Sequence, residues 1–400
     1  MKRKHILIIS GRDTSVEMLQ NLPVDITLIQ SKDRVTSVQY QICKRVIITD
    51  LSKEEEVKII AKTIHQLDPF AAAVSFIEFY LELTAEICEE LKISGNSKKP
   101  VELTRNKVEM RKYLKKFKLP TVMFRECNSK EEAINFYKEI NKPMIIKPLD
   151  GAGSRAITLC NSIEEINNAW SLYYKDNNKL ILEEYIEGEE YSIEAYTNNF
   201  EHEILAITKK DTTGAPNFIE TGHQQPAIVK NETSHAIKSV VTKFLDAIEH
   251  KDGPSHTEIR VKNGIPYIIE SHTRYGGGRI WEMLLLTTGI HLPQYTVCKL
   301  LELPIQKQPI KYNYASIKFI IGQAGKFKSV SGLEAVKKLP GLHDLKFNVA
   351  KGEIINELRS GSDRIGYILL GGENPNEIHL TIEQALKLIN IETEVISCQI

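Results

Sequence analysis

Three short apolar runs set the rhythm of the first hundred residues. "HILIISG" (His5–Gly11), "DITLIQS" (Asp25–Ser31) and "RVIITD" (Arg45–Asp50) each read as a buried strand. Helical patterns lie between them, most clearly "SKEEEVKIIAKTIHQL" (Ser52–Leu67). Strand alternating with helix predicts a parallel α/β layer over residues 1–98. "SGRDTS" after the first run lacks the spaced glycines of a dinucleotide fingerprint, so it reads as a strand-to-helix turn.

The texture changes after "GNSKKP" (Gly95–Pro100), which reads as a linker. "LTRNKVEMRKYLKKFKLP" predicts a basic helix with Thr104 as its N-cap and Pro120 closing it. Met110, Tyr113, Leu114 and Phe117 recur at helical spacing, so one face of it packs. From Met144 to Thr197 strand-like segments and one helix alternate without the α/β rhythm, as in a compact α+β lobe. Beyond Ile310, "ASIKFIIGQAG", "GEIINEL" and "RIGYILLGG" read as strands and "TIEQALKLI" as a helix. The expected organisation is an α/β unit at 1–98, an α+β unit at 99–306 with a small lobe at about 120–186, and an α+β unit at 307–400.

Composition narrows the function classes. Basic and acidic residues balance at 52 each, so no whole-chain field points to nucleic acid or an anionic membrane. The six cysteines form no CxxC pair and read as reduced packing thiols of a cytoplasmic protein. The apolar run after Met1 is too short for a signal peptide, and no stretch is long enough for a membrane helix. The charge that matters is therefore local.

Four elements carry such charge. In "KPMIIKPLDGAGSRAIT", Lys147 ends a strand and Gly151, Ala152, Gly153 and Ser154 follow. A mobile ammonium beside small-residue backbone suits a polyphosphate, although a plain glycine hairpin with a surface lysine reads from the same residues. In "LILEEYIEGEEYSIEAYT", glutamates recur within a half-buried strand pair, where each needs a partner unless the segment is a solvated acidic turn. In "NFIETGHQQPAIV", Glu220 and His223 lie in a Gly- and Pro-containing loop, ordinary surface unless that loop closes over a site.

The fourth element, "SHTEIRVKNGIPYIIESHTRYGGG", is a hairpin around Lys262-Asn263-Gly264. A two-residue Asn-Gly loop would put Glu258 and Glu270 on opposite faces. A three-residue loop with Gly264 in the left-handed conformation puts them on one face, as diagonal neighbours roughly 7–8 Å apart. We expect the three-residue loop, because two carboxylates on one face seat Mg²⁺. His272 and Arg274 continue that face, and three glycines follow where something other than side chains must come close.

In this order, the four elements resemble the ATP-grasp carboxylate–amine ligases, most of all the bacterial L-amino acid ligases that make dipeptides. The match covers about Arg105 to Leu300, and "SGSDRIGYILLGG" resembles the extra C-terminal subdomain of those ligases. The resemblance implies an ATP-grasp fold, ATP and Mg²⁺ (or Mn²⁺) as cofactors, and amino acids as small-molecule partners, with a homodimer as the oligomeric option. It implies that Lys107 and Lys147 bind phosphates, with Gly151, Gly153 and Ser154 in the loop closing over them. Glu183, Glu184 and Ile186 would belong to the adenine segment, and Glu190 would hold the ribose. Glu258 and Glu270 would bridge metal ions, with His272 beside them. Arg274 would steady the acyl phosphate, and Gly276, Gly277 and Gly278 would offer it backbone N–H groups. Glu220 and His223 match the substrate loop.

Two departures from the family pattern stand out. His272 replaces the usual Asn two residues after the second metal Glu. Gly278 stands where relatives selecting a small first amino acid carry Trp, which implies a roomier pocket. Either His223 or His272 could serve as the base that takes the amine's proton. Glu78 could reach a substrate amine from the N-terminal unit, though its place in a helical pattern suits packing. The alternatives are a ligase using a non-amino-acid carboxylate and a nucleotide-binding protein without turnover.

Overall fold

The computed structural model describes residues 3–149, 157–173 and 179–394. The first four strands, β1 (Lys4–Ile9), β2 (Val24–Gln30), β3 (Arg45–Ile48) and β4 (Ala72–Val74), pair in parallel in the order β3-β2-β1-β4. Their runs are continuously apolar because both faces are covered. Ile6 and Ile8 pack with Val16, Leu19 and Val297 on one side, and Leu7 and Ile9 with Val57, Ala61 and Ile87 on the other.

The small lobe holds β5 (Phe124–Cys127), β6 (Met144–Pro148), β7 (Thr158–Cys160) and β8 (Leu180–Glu184), an antiparallel sheet in the order β5-β8-β6-β7. Helices Lys130–Ile140 and Ile163–Tyr173 back it over a core of Phe136, Met144, Ile146 and Trp170. Lys147 therefore sits on the middle of a packed sheet rather than on a free hairpin.

Beyond it come β9 (Glu189–Asn198), β10 (Glu201–Thr212), β11 (Glu220–Gln225), β12 (Gly253–Lys262) and β13 (Ile265–His272). They lead into β14 (Tyr314–Ile320), β15 (Gly325–Ser331), β16 (Leu342–Phe347), β17 (Ile354–Ile355), β18 (Gly366–Gly372) and β19 (Asn390–Glu394). Eight of these form one antiparallel sheet in the order β13-β12-β9-β10-β11-β14-β18-β16. It runs unbroken from the hairpin into the C-terminal segment, because β14 pairs with β11. One face of β9 (Tyr191, Ile193, Ala195) enters the core with Phe244 of helix Asn231–Ala247. The other face carries Ser192 and Glu194, both fully buried. β15, β17 and β19 form a separate small sheet, and "GEIINEL" contributes only the two residues of β17.

Three local expectations need correction. Lys98–Arg105 is a helix, so the expected linker narrows to Gly95–Ser97. The N-cap of the following helix, Lys107–Lys116, is Asn106, whose side chain accepts from the N–H groups of Val108 and Glu109; the Thr104 hydroxyl instead donates to Pro100 O within the preceding helix. The third correction concerns the hairpin. Lys262 pairs with Ile265, so the loop is the two-residue Asn263-Gly264, with φ of 51° and 77°. Both are positive, as the tight hairpin turn requires. Yet Glu258 and Glu270 do share a face, as direct cross-strand partners rather than diagonal ones. A β-bulge between Glu258 and Ile259 inserts Ile269 and resets the parity.

Five described cysteines are buried free thiols, and Cys398 lies outside the described residues. Among the described residues, no helix is long and apolar enough to cross a membrane.

Candidate active site

A cavity of about 300 Å³ opens between the small lobe, the β12–β13 hairpin, the glycine segment and the C-terminal segment. Its lining includes Lys107, Lys147, Glu183, Glu184, Ile186, Glu190, Glu220, Glu258, Glu270, His272, Arg274, Gly277 and Gly278. Gly151, Gly153 and Ser154 lie outside the described residues.

The small-lobe end is a buried ionic cluster. Arg111, on the helix Lys107–Lys116, is fully buried. Its Nε donates to Glu183 Oε1 at 2.8 Å, and its two terminal nitrogens donate to the carbonyls of Ile268 and Ile269, each at 2.6 Å. Arg111 thus clamps the bulge that aims Glu270 and ties it to the small lobe. Glu183 Oε2 meets Lys147 Nζ at 2.7 Å, and Lys107 Nζ meets Glu270 Oε1 at 2.8 Å. Burial opposes the charge on Glu183, but Arg111 and Lys147 outweigh it and hold that carboxyl at about 2. Burial pushes Lys147 below the ordinary ammonium range; Glu183 offsets this in part, while Arg111 and Lys107 add to it.

The floor is a second network, drawn across the sheet. Lys210 is buried among three carboxylates: Glu258 at 2.6 Å, Glu220 at 3.0 Å and Glu190 at 3.1 Å. Burial works against its charge, yet those three acids raise it well above its usual range. Each acid also has a second partner: Arg260 on Glu190 at 2.8 Å, His256 on Glu258 at 3.2 Å, and Arg364 on Glu220 at 3.4 Å. Beneath them Glu194, fully buried, bonds His256 Nδ1 and accepts from Gly276 N–H at 3.0 Å.

Several expected roles meet this geometry differently. The Glu183 side chain is committed to Arg111 and Lys147. The N–H groups of Glu184 and Tyr185 are used by the carbonyls of Met123 and Pro143. Glu190 reaches the cavity with both oxygens engaged, Oε1 by Lys210 and Oε2 by Arg260. Gly276 lies under the lining with its N–H on Glu194, and a Cβ there would stand 2.7 Å from His256 Nδ1. Gly278 lines the cavity with a φ of +56°, and a Cβ there would meet His223 Nε2 at 2.8 Å. His223 itself lies behind Gly278, 1% exposed and 3.6 Å from Glu220, and does not line the cavity.

His272 does line it, with Nδ1 3.1 Å from Glu78 Oε2 and Nε2 3.7 Å from Glu270. Glu78 also takes Arg274 Nε at 2.6 Å. Burial opposes its charge, but His272 and Arg274 hold Glu78 at about 2. Glu78 is thus paired with two side chains of the lining without being part of the lining itself. No group of three or more His, Cys, Asp or Glu side chains suited to a metal occurs among the described residues. The fit to a divalent cation therefore rests on Glu258 and Glu270, whose pKa values are both lowered, burial being outweighed by Lys210 for Glu258 and by Lys107 for Glu270. Two ionised carboxylates suit a hard cation, whereas His272 is held toward Glu78.

The sequence reading missed Arg111, Lys210, Arg260, His256, Glu194 and Arg364. His256 and Arg260 flank Glu258 at period two, so the same alternation could have found them. Lys210 and Arg364 gave no local signal, because the sheet order brings them in.

Residues 140–282 match the ATP-grasp domain family, and residues 318–394 match the L-amino acid ligase C-terminal domain 2. The alanine–anticapsin ligase of Bacillus subtilis (strain 168) is 27% identical over 255 residues, covering 58% of this chain and 53% of that protein. This chain thus spans about half of that relative. The L-arginine-specific L-amino acid ligase of Bacillus subtilis is 23% identical over 348 residues, 83% of this chain and 82% of the relative. The crystal structure of an L-amino acid ligase from Bacillus licheniformis superposes with a TM-score of 0.83 at 23% identity, covering 98% of this chain and all of that one.

Proposed function

We propose that this chain, an ATP-grasp carboxylate–amine ligase, joins two amino acids into a dipeptide at the expense of ATP. One observation carries the reading. Two lysines (Lys107, Lys147) and a pair of ionised carboxylates (Glu258, Glu270) face one cavity that also holds a guanidinium, Arg274, with Arg111 buried behind the lysines' partners. The boundaries at 98 and 306 are part of the proposal, and so are the roles below.

A carboxylate oxygen of the first amino acid attacks the γ-phosphorus, and the bond from that phosphorus to the bridging oxygen breaks, releasing ADP. The amine nitrogen of the second amino acid then attacks the acyl carbon. A C–N bond forms, the bond to phosphate breaks, and the nitrogen gives up a proton. Charge grows first on phosphoryl oxygens and then on the tetrahedral oxygen. Lys147 and Lys107 meet the first charge from the small-lobe end. Arg274, whose Nε is braced by Glu78, meets both. Of the two histidines, His272 faces the cavity and takes the amine's proton, while His223 supports Gly278 from behind. Glu258 and Glu270 would hold Mg²⁺, or Mn²⁺, which when bound neutralises phosphate charge. The ribose falls to the Glu190–Arg260 end and the base to the edge near Ile186.

A phosphate-release screen over all amino acids, singly and in pairs, tests the reading. It predicts release that depends on particular pairs and a dipeptide product. Release that needs a carboxylate other than an amino acid would overturn it. Arg274→Ala is expected to abolish ligation while ATP binding survives. Near-normal dipeptide formation by that variant would remove Arg274 from the mechanism.

A further inference from the structure

The C-terminal segment brings one charged group to the cavity that the steps above leave unused. The helical turn Gly361–Asp363 is braced from within. Asp363 Oδ2 accepts from Ser360 N–H at 2.7 Å, Ser360 Oγ at 2.9 Å and Arg359 N–H at 3.1 Å. Arg364 follows directly and lines the cavity together with Gly361. Its guanidinium carbon lies 3.8 Å from the centroid of the Phe319 ring, and its Nε donates to Gly361 O at 2.7 Å.

The remaining contact is a loose one. Nη1 stands 3.4 Å from Glu220 Oε2, whereas a committed charge-assisted bond runs about 2.7–2.9 Å. A guanidinium offers five N–H donors in a planar fork. Among the described residues, the bonds to Gly361 and Glu220 are the only hydrogen bonds Arg364 makes. Most of the fork is therefore held in place by a stacked ring and a rigid turn, yet left for a ligand.

We propose that Arg364 receives the free α-carboxylate of the second amino acid, the amine donor. The inference rests on the ligase reading above and narrows its substrate class. The first amino acid's carboxylate becomes the acyl phosphate and belongs to Lys147 and Arg274. The amine donor's carboxylate is the one that survives the reaction. A planar fork matches a carboxylate bidentately. The amine donor is thus an α-amino acid with a free carboxylate. Its carboxamide is rejected about 100-fold, since a site built to bond a group discriminates against the analogue that lacks it.

The test uses the full chain and two nucleophiles. Hydroxylamine traps the acyl phosphate as a hydroxamate and carries no carboxylate; an amino acid gives the dipeptide. For Arg364→Ala the dipeptide-to-hydroxamate ratio is expected to fall about 100-fold, mainly through a higher KM for the amine donor. Arg364→Lys keeps the charge without the fork and should fall in between. The unmodified protein supplies a readout independent of any variant, its preference for amino acid over carboxamide as amine donor. Equal loss of dipeptide and hydroxamate in Arg364→Ala would overturn the inference. Equal use of acid and carboxamide by the unmodified protein would do the same. Absence of hydroxamate from the unmodified protein, whatever amino acid is supplied, would instead overturn the ligase reading, and the inference with it.

Discussion

The two ionic networks of the cavity are built from the same residue types and differ in what they join. On the floor, Lys210 sits among Glu190, Glu220 and Glu258, and Arg260, Arg364 and His256 close the outer side of each acid. The pattern alternates, and each acid has two cationic partners, although most of the Arg364 fork stays open. At the small-lobe end, Arg111 and Lys147 meet on Glu183, and Lys107 meets Glu270. The first network holds the floor strands in register. The second joins the small lobe to the helix Lys107–Lys116 and the hairpin, and two of its cations, Lys107 and Lys147, line the cavity, which suits it to receive a polyphosphate. Burial pushes Lys147 below the ordinary ammonium range, and an anion bound beside it would offset that cost.

Four changes sharpen this contrast. Lys210→Met would leave three buried carboxylates without their shared cation. It is expected to destabilise the protein by about 3–5 kcal/mol, read as a shift in the urea midpoint; a loss confined to activity would mean that the floor is not structural. Lys147→Met removes one of the two cations on Glu183 and leaves Arg111 in place. Its stability should barely fall, while kcat/KM drops about 10²–10³-fold in coupled phosphate release. A large stability loss with normal turnover would reverse the assignment of the two networks.

Glu183 gives a pH dependence with a definite sign. Its folded pKa, about 2, lies below its ordinary value of 4.5, so the unfolded chain binds more protons between them. Its contribution is present above pH 4.5 and is lost as pH falls toward 2, amounting to about 3 kcal/mol. In acid titrations followed by thermal melts, Glu183→Gln should lose this part of the slope; identical slopes would detach Glu183 from the cluster. Arg111→Lys, the smallest effect, keeps the charge but cannot bond Glu183 and two carbonyls together. A rise of about tenfold in KM for ATP is expected, and an unchanged KM would show that the bulge needs no clamp.

Much of this was legible in the chain. The apolar runs gave the parallel layer, and period-two alternation put Glu258, Glu270, His272 and Arg274 on one hairpin. The hairpin also shows the limit. Reading one face as a metal seat was sound, but the loop length chosen to explain it was not. A bulge at Ile269 does the work, and its cause is a guanidinium from a helix over 150 positions away in sequence. Lys210 was invisible for a related reason: its acids come from β9, β11 and β12, and only the sheet order makes them neighbours. The weakly apolar strands β15, β16 and β19 escaped notice because their outward positions are exposed and polar, as in "GKFKSVS". Gly278 does line the cavity, and its left-handed backbone and the ring of His223 behind it are a second reason for glycine that the sequence did not show.

The most direct test of the central claim follows one oxygen atom. An amino acid labelled with ¹⁸O in its carboxylate, turned over with ATP and a second amino acid, should pass one labelled oxygen into the released inorganic phosphate. Label found in AMP, or phosphate free of label while dipeptide forms, would contradict an acyl phosphate made in this cavity.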